Sequence, residues 1–386
     1  MRIAFDTRWI RTSNQEGVGG YALELLLKML ETDRENSYLA FIETEEKFRY
    51  FQKRFRPERF KNLEVRREHL VLSSIWANNV SLPLFLRRND IDIYHVPFFA
   101  FTPFKAGYKI IATVYDLIPY LYPRYSVRDC PVVRFFFRHK AFARFMMNKA
   151  DKFVVSSKGS IEYLKREMRM SDDKLKLIYP GVGEEFRRVA DRDALRIVSG
   201  KYGIPEGSIV FMGELGLHKN ISGLIEAYLS LGEKLRKKHK LVIIGRGEKL
   251  YPKDVDRSVA SGSPHRDIIM PGYILLEDKP AIYSLASCFV SPTRYEGFPH
   301  YILEAMACGT PVAASDINEI REFAGKGSYA GFDPDDPSSI GAALESVLTD
   351  EKHRKDMIAI GKKAASRFTW DKAAREILAL YNNVKG

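Results

Sequence analysis

Several protein classes are excluded by what this chain lacks. Its 386 residues include three cysteines, Cys130, Cys288 and Cys308. An odd number, with none at metal-ligand spacing, excludes a disulfide-stapled scaffold and points to a reducing, cytoplasmic setting. No window holds the roughly 20 consecutive apolar residues that a membrane-spanning helix needs. The longest uncharged run, Leu70 to Leu86, is broken by Ser73, Ser74, Asn78, Asn79, Ser81 and Pro83. The opening MRIAFDTRW has Asp6 where a secretion signal needs an apolar centre, so it reads as a first strand. Internal repeats and low-complexity tracts are also lacking. What remains, with 45% hydrophobic and 28% charged residues, is the composition of a globular protein. Its length fits two domains of about 100–200 residues each.

Acidic residues are scarce in one stretch. Residues 47–149 carry 20 Lys/Arg against 7 Asp/Glu, which accounts for the formal +12 and leaves the rest near neutral. A basic face of this kind suits an anionic partner: a membrane surface, a phosphate-bearing substrate or nucleic acid. Within it, Lys47–Arg56 and Arg134–Met147 interleave cations with aromatics. Such segments either rest on anionic lipid headgroups, at the inner membrane face, or turn their aromatics into the core and their cations to water. An alternative is a non-catalytic nucleic-acid-binding protein using the basic 47–149 segment, although no recognised nucleic-acid motif accompanies it.

Short apolar runs alternate with helix-period segments, the pattern of parallel sheets covered by helices. Strands are expected at Arg2–Phe5, Ser37–Ile42, Ile93–Val96, Ile110–Val114, Lys152–Ser156 and Leu175–Ile178 in the first half. The second half gives Ser208–Met212, Leu241–Ile244, Ile268–Met270, Cys288–Ser291 and Pro311–Ala314. A helix over Tyr21–Leu30 follows a glycine turn, Gly17-Val18-Gly19-Gly20; others fall at Asn220–Leu231, Lys279–Ala286, His300–Cys308 and Ser338–Thr349. Pro180, Gly181 and Gly183 mark a linker. The expected organisation is therefore 1–183 and 184–367, two doubly wound α/β domains facing each other across a cleft, followed by a docking helix in 368–386. Ligands of such folds bind beyond the carboxyl ends of the strands.

Two strand-to-helix segments stand out. In Ser291-Pro292-Thr293-Arg294-Tyr295-Glu296-Gly297-Phe298-Pro299-His300, a loop carrying Glu296 leads into a helix that Pro299 opens. The amides near Gly297 and Phe298 then lie at a helix start, suited to a phosphate or a sugar hydroxyl. Glu304, among Ile302, Leu303, Ala305 and Met306, needs a hydrogen-bond partner or a charge, and a ribose diol would supply two donors. The second segment, Gly213 to Asn220, places Lys219 before an expected Asn220 N-cap, an arrangement suited to a diphosphate. Asp90-Ile91-Asp92 mimics a paired-aspartate metal motif, but it directly precedes a strand, and no His/Cys cluster competes. No metal or other cofactor is expected.

The two segments together resemble the retaining glycosyltransferases of GT-B fold, specifically the large fourth family that uses nucleotide sugars. The resemblance rests on Gly213 with Lys219-Asn220, on Pro271-Gly272-Tyr273 and on the block Glu296 to Val312; the weaker Gly17–Tyr21, Thr113–Pro119 and Val154–Ser157 extend it over nearly the whole chain. It implies an acceptor-binding first domain and a nucleotide-sugar-binding second one. Glu296 would contact the donor sugar's C3 and C4 hydroxyls, and Gly297, Phe298 and His300 would offer amides to sugar and phosphate. Glu304 would hold the ribose, Lys219 the diphosphate, and the Tyr273 loop the base. Gly19 and Gly20 would let the first domain's backbone approach the phosphates, and Asp116 would meet the acceptor. Where the family commonly has an arginine near its lysine, this chain has Glu214 and His218, leaving the charge to Lys219 with Arg294 or Arg246 to help. The implied donor is GDP-mannose or a UDP-sugar, with a glycan or lipid-linked acceptor, as in polysaccharide synthesis.

Overall fold

A strand buried on both faces needs no alternation, only a short apolar run, and the central strands of both sheets are such runs. The computed structural model describes residues 1–12, 17–56, 58–68, 76–99, 103–121, 139–245 and 267–385. Contacts divide the chain into two units: Met1–Gly181 with Thr369–Gly386, and Val182–Phe368. Each is Rossmann-like.

The first unit holds β1 (Arg2–Asp6), β2 (Ser37–Ile42), β3 (Leu63–Arg67), β4 (Ile93–Val96), β5 (Lys109–Val114), β6 (Lys152–Val155) and β7 (Leu175–Leu177). They form one parallel sheet in the order β3-β2-β1-β4-β5-β6-β7, with Ile3 opposite both Tyr38 and Ile93. The edge strand β3 was missed from the sequence because Leu-Glu-Val-Arg-Arg alternates and stays half exposed. The second unit holds β8 (Ile209–Met212), β9 (Leu241–Ile244), β10 (Ile268–Gly272), β11 (Cys288–Ser291), β12 (Val312–Ser315) and β13 (Ala330–Phe332). Their order is β10-β9-β8-β11-β12-β13, again parallel.

The glycine turn expected before the first helix is instead that helix's first turn, since the helix runs Gly17–Thr32. Gly19 is needed there for close approach. A Cβ on it would stand 2.7 Å from the carbonyl oxygen of Trp9. The last helix, Trp370–Lys385, packs against Gly17–Thr32 and completes the first unit's core with Ile377 and Tyr381. At its base Val182 donates its N–H to Phe368 O at 3.0 Å, so the two ends of the second unit lie side by side.

Two buried polar networks fix the centre of the first sheet. At the end of β1, Arg8 Nε donates to Asp6 Oδ1 at 2.9 Å and its NH2 to Oδ2 at 2.8 Å, while Tyr94 donates to Oδ2 at 2.6 Å and Asn78 Oδ1 accepts from Arg8 at 2.7 Å. Burial alone would raise the Asp6 carboxyl, but the charge and hydrogen bonds of Arg8 hold it below its usual range. On β4, His95 is hydrogen-bonded through Nδ1 to the Tyr381 hydroxyl and through Nε2 to Thr113 Oγ1 at 3.0 Å. Complete burial lowers its pKa to about 3, so the ring is neutral.

The basic stretch Lys47–Arg56 follows the structural reading. Thr44 Oγ1 caps the helix Glu45–Arg54 by accepting the Lys47 N–H. Phe51 and Phe55 stack at 4.9 Å in the core, while Lys47 pairs with Glu43 and Arg49 with Glu45. Residues 134–138, like Arg246 and Cys130, lie outside the described residues. The Asp92 carboxylate accepts the Arg2 N–H at 2.7 Å and so binds β1 at its start.

Replacing Tyr381 with Phe strips the Nδ1 partner from a histidine that water does not reach. Urea unfolding should register a loss of about 1–3 kcal/mol in the transition of the first unit; an unchanged midpoint would remove this bond from the account of how the last helix is held.

Candidate active site

The order of the second sheet reverses at β8: β9 and β10 are added on one side, β11 to β13 on the other. Loops leaving the carboxyl ends of β8 and β11 therefore lead to helices on opposite faces, and such a reversal is where ligands of doubly wound sheets bind. The first carries Lys219 and the second Glu296. The β8 loop starts at Gly213, φ +152, and is pressed against β9: a Cβ on Gly245 would stand 1.9 Å from the Gly213 carbonyl oxygen.

Between those loops, Lys219 Nζ forms a hydrogen-bonded ion pair with Glu296 Oε1, joining residues 77 apart in sequence. Both are buried, at 7% and 9% exposure. Neighbouring contacts hold the loops. Arg294 donates its N–H to His218 O at 2.7 Å, and Thr293 Oγ1 donates to Tyr295 O at 2.8 Å. Asn220 Nδ2 reaches Pro334 O at 2.6 Å, tying in the loop after β13. Burial, reinforced by the Lys219 charge, lowers the His218 pKa to about 3, so the imidazole adds no second cation.

Glu304 lies in the helix His300–Ala307, which follows the Glu296 loop. A buried carboxylate in this setting calls for a hydrogen-bond partner or a charge, and the chain supplies both. Tyr283 donates its hydroxyl to Oε2 at 2.7 Å, and Lys279 Nζ stands 3.9 Å from the same oxygen. The Lys279 ammonium also sits 4.8 Å above the Tyr301 ring, whose edge lies 3.5 Å from where a Gly213 Cβ would be. Two lysine–carboxylate pairs thus stand on the ligand side of one sheet. Lys279 and Tyr283 were not singled out from the sequence; the available signal was a lysine heading the otherwise uncharged helix Lys279–Leu285, all of it buried.

The structure changes several details of the expected site. Asn220 occupies the N-cap position in a left-handed conformation, φ +51, but its side chain makes no cap bond because Pro334 takes it. Lys219 ends a 3-10 turn, Leu217–Lys219, and its own N–H donates to Gly216 O at 2.9 Å, so this amide is spent within the turn. Pro299 is the N-cap rather than the first helical residue, and the His300 amide donates to Phe298 O at 2.9 Å, which corrects its expected role as an open donor. Burial, then the Lys279 charge, lowers the His300 pKa to about 3. Phe298 is buried and edge-on to Phe323 at 4.8 Å, and Gly297 precedes it in the same loop. The Arg294 guanidinium turns to Asp335, 2.6 Å away, because the loop after β13 offers it a carboxylate. Tyr273 directly follows the end of β10 and is half-buried.

Asp116, Gly19 and Gly20 belong to the first unit. Asp116 Oδ1 accepts the Ile118 N–H at 3.0 Å and so shapes the turn into Ile118–Leu121. Gly19 faces Trp9 within its own unit, and Gly20 is half-buried beside it.

Comparison with known proteins places this geometry. Residues 198–364 match the family model described as Glycosyl transferases group 1, and residues 41–186 match Glycosyltransferase Family 4. A serotype-specific mannosyltransferase of Escherichia coli is 30% identical over 69% of this chain. The chain spans only 32% of that relative's length. An O-antigen chain mannosyltransferase of the same organism is 28% identical over 75% of this chain and 74% of its own length. Among solved structures, sucrose-phosphate synthase of Thermosynechococcus elongatus aligns at TM-score 0.75 with 16% identity, over 100% of this chain and 99% of that one. HepE of Anabaena in complex with UDP-glucose aligns at 0.74 with 15% identity, over 99% and 100%. Both share the fold. The nucleic-acid alternative finds no support among these matches.

Breaking the central pair exposes its cost. Lys219→Met leaves the Glu296 carboxylate buried without its cation and should destabilise the second unit by about 3 kcal/mol. The double variant Lys219→Met/Glu296→Leu should recover most of that in urea unfolding; equal losses in both would show that the two charges are not coupled.

Proposed function

Since this chain belongs to the glycosyltransferases of group 1, we propose that it is a retaining hexosyltransferase that moves a sugar from a nucleotide sugar to a glycan or lipid-linked acceptor. The observation that carries the reading is the buried Lys219–Glu296 pair at the point where the second sheet reverses. Lys219 offers an ammonium to a diphosphate. Glu296 beside it accepts sugar hydroxyls, and Glu304 one turn into the following helix accepts those of a ribose. Gly297 and Phe298 lie at the same loop-to-helix junction, and the Tyr273 loop flanks the place for a base. Mannose is the favoured sugar because relatives of this chain carry mannosyltransferase names; GDP-mannose is the first donor to test, UDP-sugars the second. The O-antigen relative favours a polysaccharide product.

In this scheme the bond from the sugar C1 to the diphosphate breaks as the acceptor oxygen bonds on the same face. The acceptor proton passes to the departing diphosphate, which serves as base. Catalysis then rests on positioning and on charge placed where it develops, with Lys219 rather than a resident metal opposite the leaving group. Asp116, from the first unit, is assigned to the acceptor.

No described helix is long and apolar enough to cross a membrane. A peripheral contact is supported on the first unit by Phe145, 58% exposed, and Phe104, 48% exposed, both beneath the Lys149 ammonium. Burial among them lowers the Lys149 pKa to about 8. Co-sedimentation with phosphatidylglycerol vesicles at low salt, lost at high salt and in Phe104→Ser/Phe145→Ser, is expected; protein left in the supernatant removes the membrane from the reading.

In the structure Glu296 occupies the ammonium that a diphosphate would need. Glu296→Gln should therefore abolish transfer while binding free GDP or UDP about fivefold more tightly, the scale of one removed like charge. Lys219→Met should weaken the same ligands. Thermal-shift titration reads both, and wild-type affinity in Lys219→Met would take that lysine out of the site.

A further inference from the structure

The helix Lys279–Leu285 reaches the proposed nucleotide site without contributing a residue to the donor contacts assigned above. Two of its side chains, four residues apart and so on one face, converge on Glu304. Tyr283 is completely buried, and its hydroxyl donates to Oε2 at 2.7 Å. Lys279 is 3% exposed, with its ammonium 3.9 Å from that oxygen and 4.8 Å over the Tyr301 ring. The phenol is a dependable donor. Burial raises its pKa well above the ordinary value and the neighbouring Glu304 charge raises it further, so it keeps its proton.

A glutamate carboxylate turns easily about its last torsion, which has broad minima. A ligand that uses such a group must first stop it, at a cost of about 0.5–1.5 kcal/mol for an immobilised side chain. Here Tyr283 fixes one oxygen in advance, and Lys279 balances the charge in a place that water hardly enters. Ile282 and Leu285 anchor the helix by burial and the Tyr283 ring packs edge-on against Phe289, which leaves the phenol hydroxyl and the Lys279 ammonium as the groups that packing does not account for. A buried lysine is also an expensive way to fill space, since its charge must be desolvated.

We propose that Tyr283 and Lys279 are positioning residues that pre-set Glu304 to accept ribose hydroxyls, and that together they give this protein its preference for ribonucleotides over deoxyribonucleotides. The proposal rests on the donor reading above. It concerns the strength of one contact, so its effect appears only in ligands that make that contact.

The test compares GDP with 2′-deoxy-GDP, and UDP with 2′-deoxy-UDP, by calorimetric titration of the full chain. Wild type should prefer the ribonucleotide by about tenfold or more, as sites built to bind a hydroxyl do. Tyr283→Phe and Lys279→Met should each cut that preference to about twofold by weakening the ribonucleotide more, since only it brings a 2′-hydroxyl to the carboxylate while the deoxy form keeps the 3′-hydroxyl alone. If Tyr283→Phe does not fold, Lys279→Met carries the measurement. Equal weakening of both ligands, or an unchanged ratio, overturns the proposal and leaves the two residues purely structural. A wild type that binds both forms equally, or neither, sinks the ribose role of Glu304 itself, a failure distinct from that of the positioning residues and visible before any variant is made.

Discussion

A parallel sheet that grows in two directions from one strand must send neighbouring loops to opposite faces, and that constraint governs the second unit. It sets the β8 and β11 loops beside each other although Lys219 and Glu296 are 77 residues apart. The glycines at 213 and 245 let those turns close tightly enough for the side chains to meet. Without the reversal at β8, an ion pair at this depth would have no loop ends to stand on. The first sheet reverses in the same way at β1, and there too a buried pair, Asp6 with Arg8, fills the position.

The two pairs serve different ends. Asp6 and Arg8 are completely buried and bonded further to Tyr94 and Asn78, so the group is closed on itself and braces the sheet. Lys219 with Glu296 and Lys279 with Glu304 retain a little exposure and lie at the mouth of the loops. Buried ion pairs are weak devices for stability, because desolvation offsets most of their attraction. Two of them at the carboxyl ends of one small sheet are a costly arrangement for folding alone, and the proposed donor reading gives them a use.

The central strands were legible because burial on both faces writes them as uninterrupted apolar runs: Ile93–Val96 and Cys288–Ser291 were read to the residue. Two of the edge strands escape this logic. Leu63–Arg67 alternates, and Ala330–Phe332 is three residues long, so neither announces itself. The Glu296–Val312 block was informative since its spacing is dense and specific. The partners of Glu304 were hidden, because a tyrosine and a lysine four apart look like any helix face until the fold shows what they touch. Asn220 illustrates the converse: the residue type suited a cap, but a carbonyl from the loop after β13, over 100 residues away, claimed its amide. Arg294 was drawn away from Lys219 by Asp335 in the same fashion.

The route of the backbone has an outcome for how the molecule is made. The second unit is spliced into the first, with Val182 and Phe368 hydrogen-bonded at the join and Trp370–Lys385 returning to finish the earlier core. During synthesis the later half can complete its sheet while the earlier half still awaits the residues that bring Tyr381 to His95. Maturation of the amino-terminal lobe is thereby postponed until residues 370–385 have left the ribosome. The adjoining ends also bring the two junctions of the inserted segment to one spot.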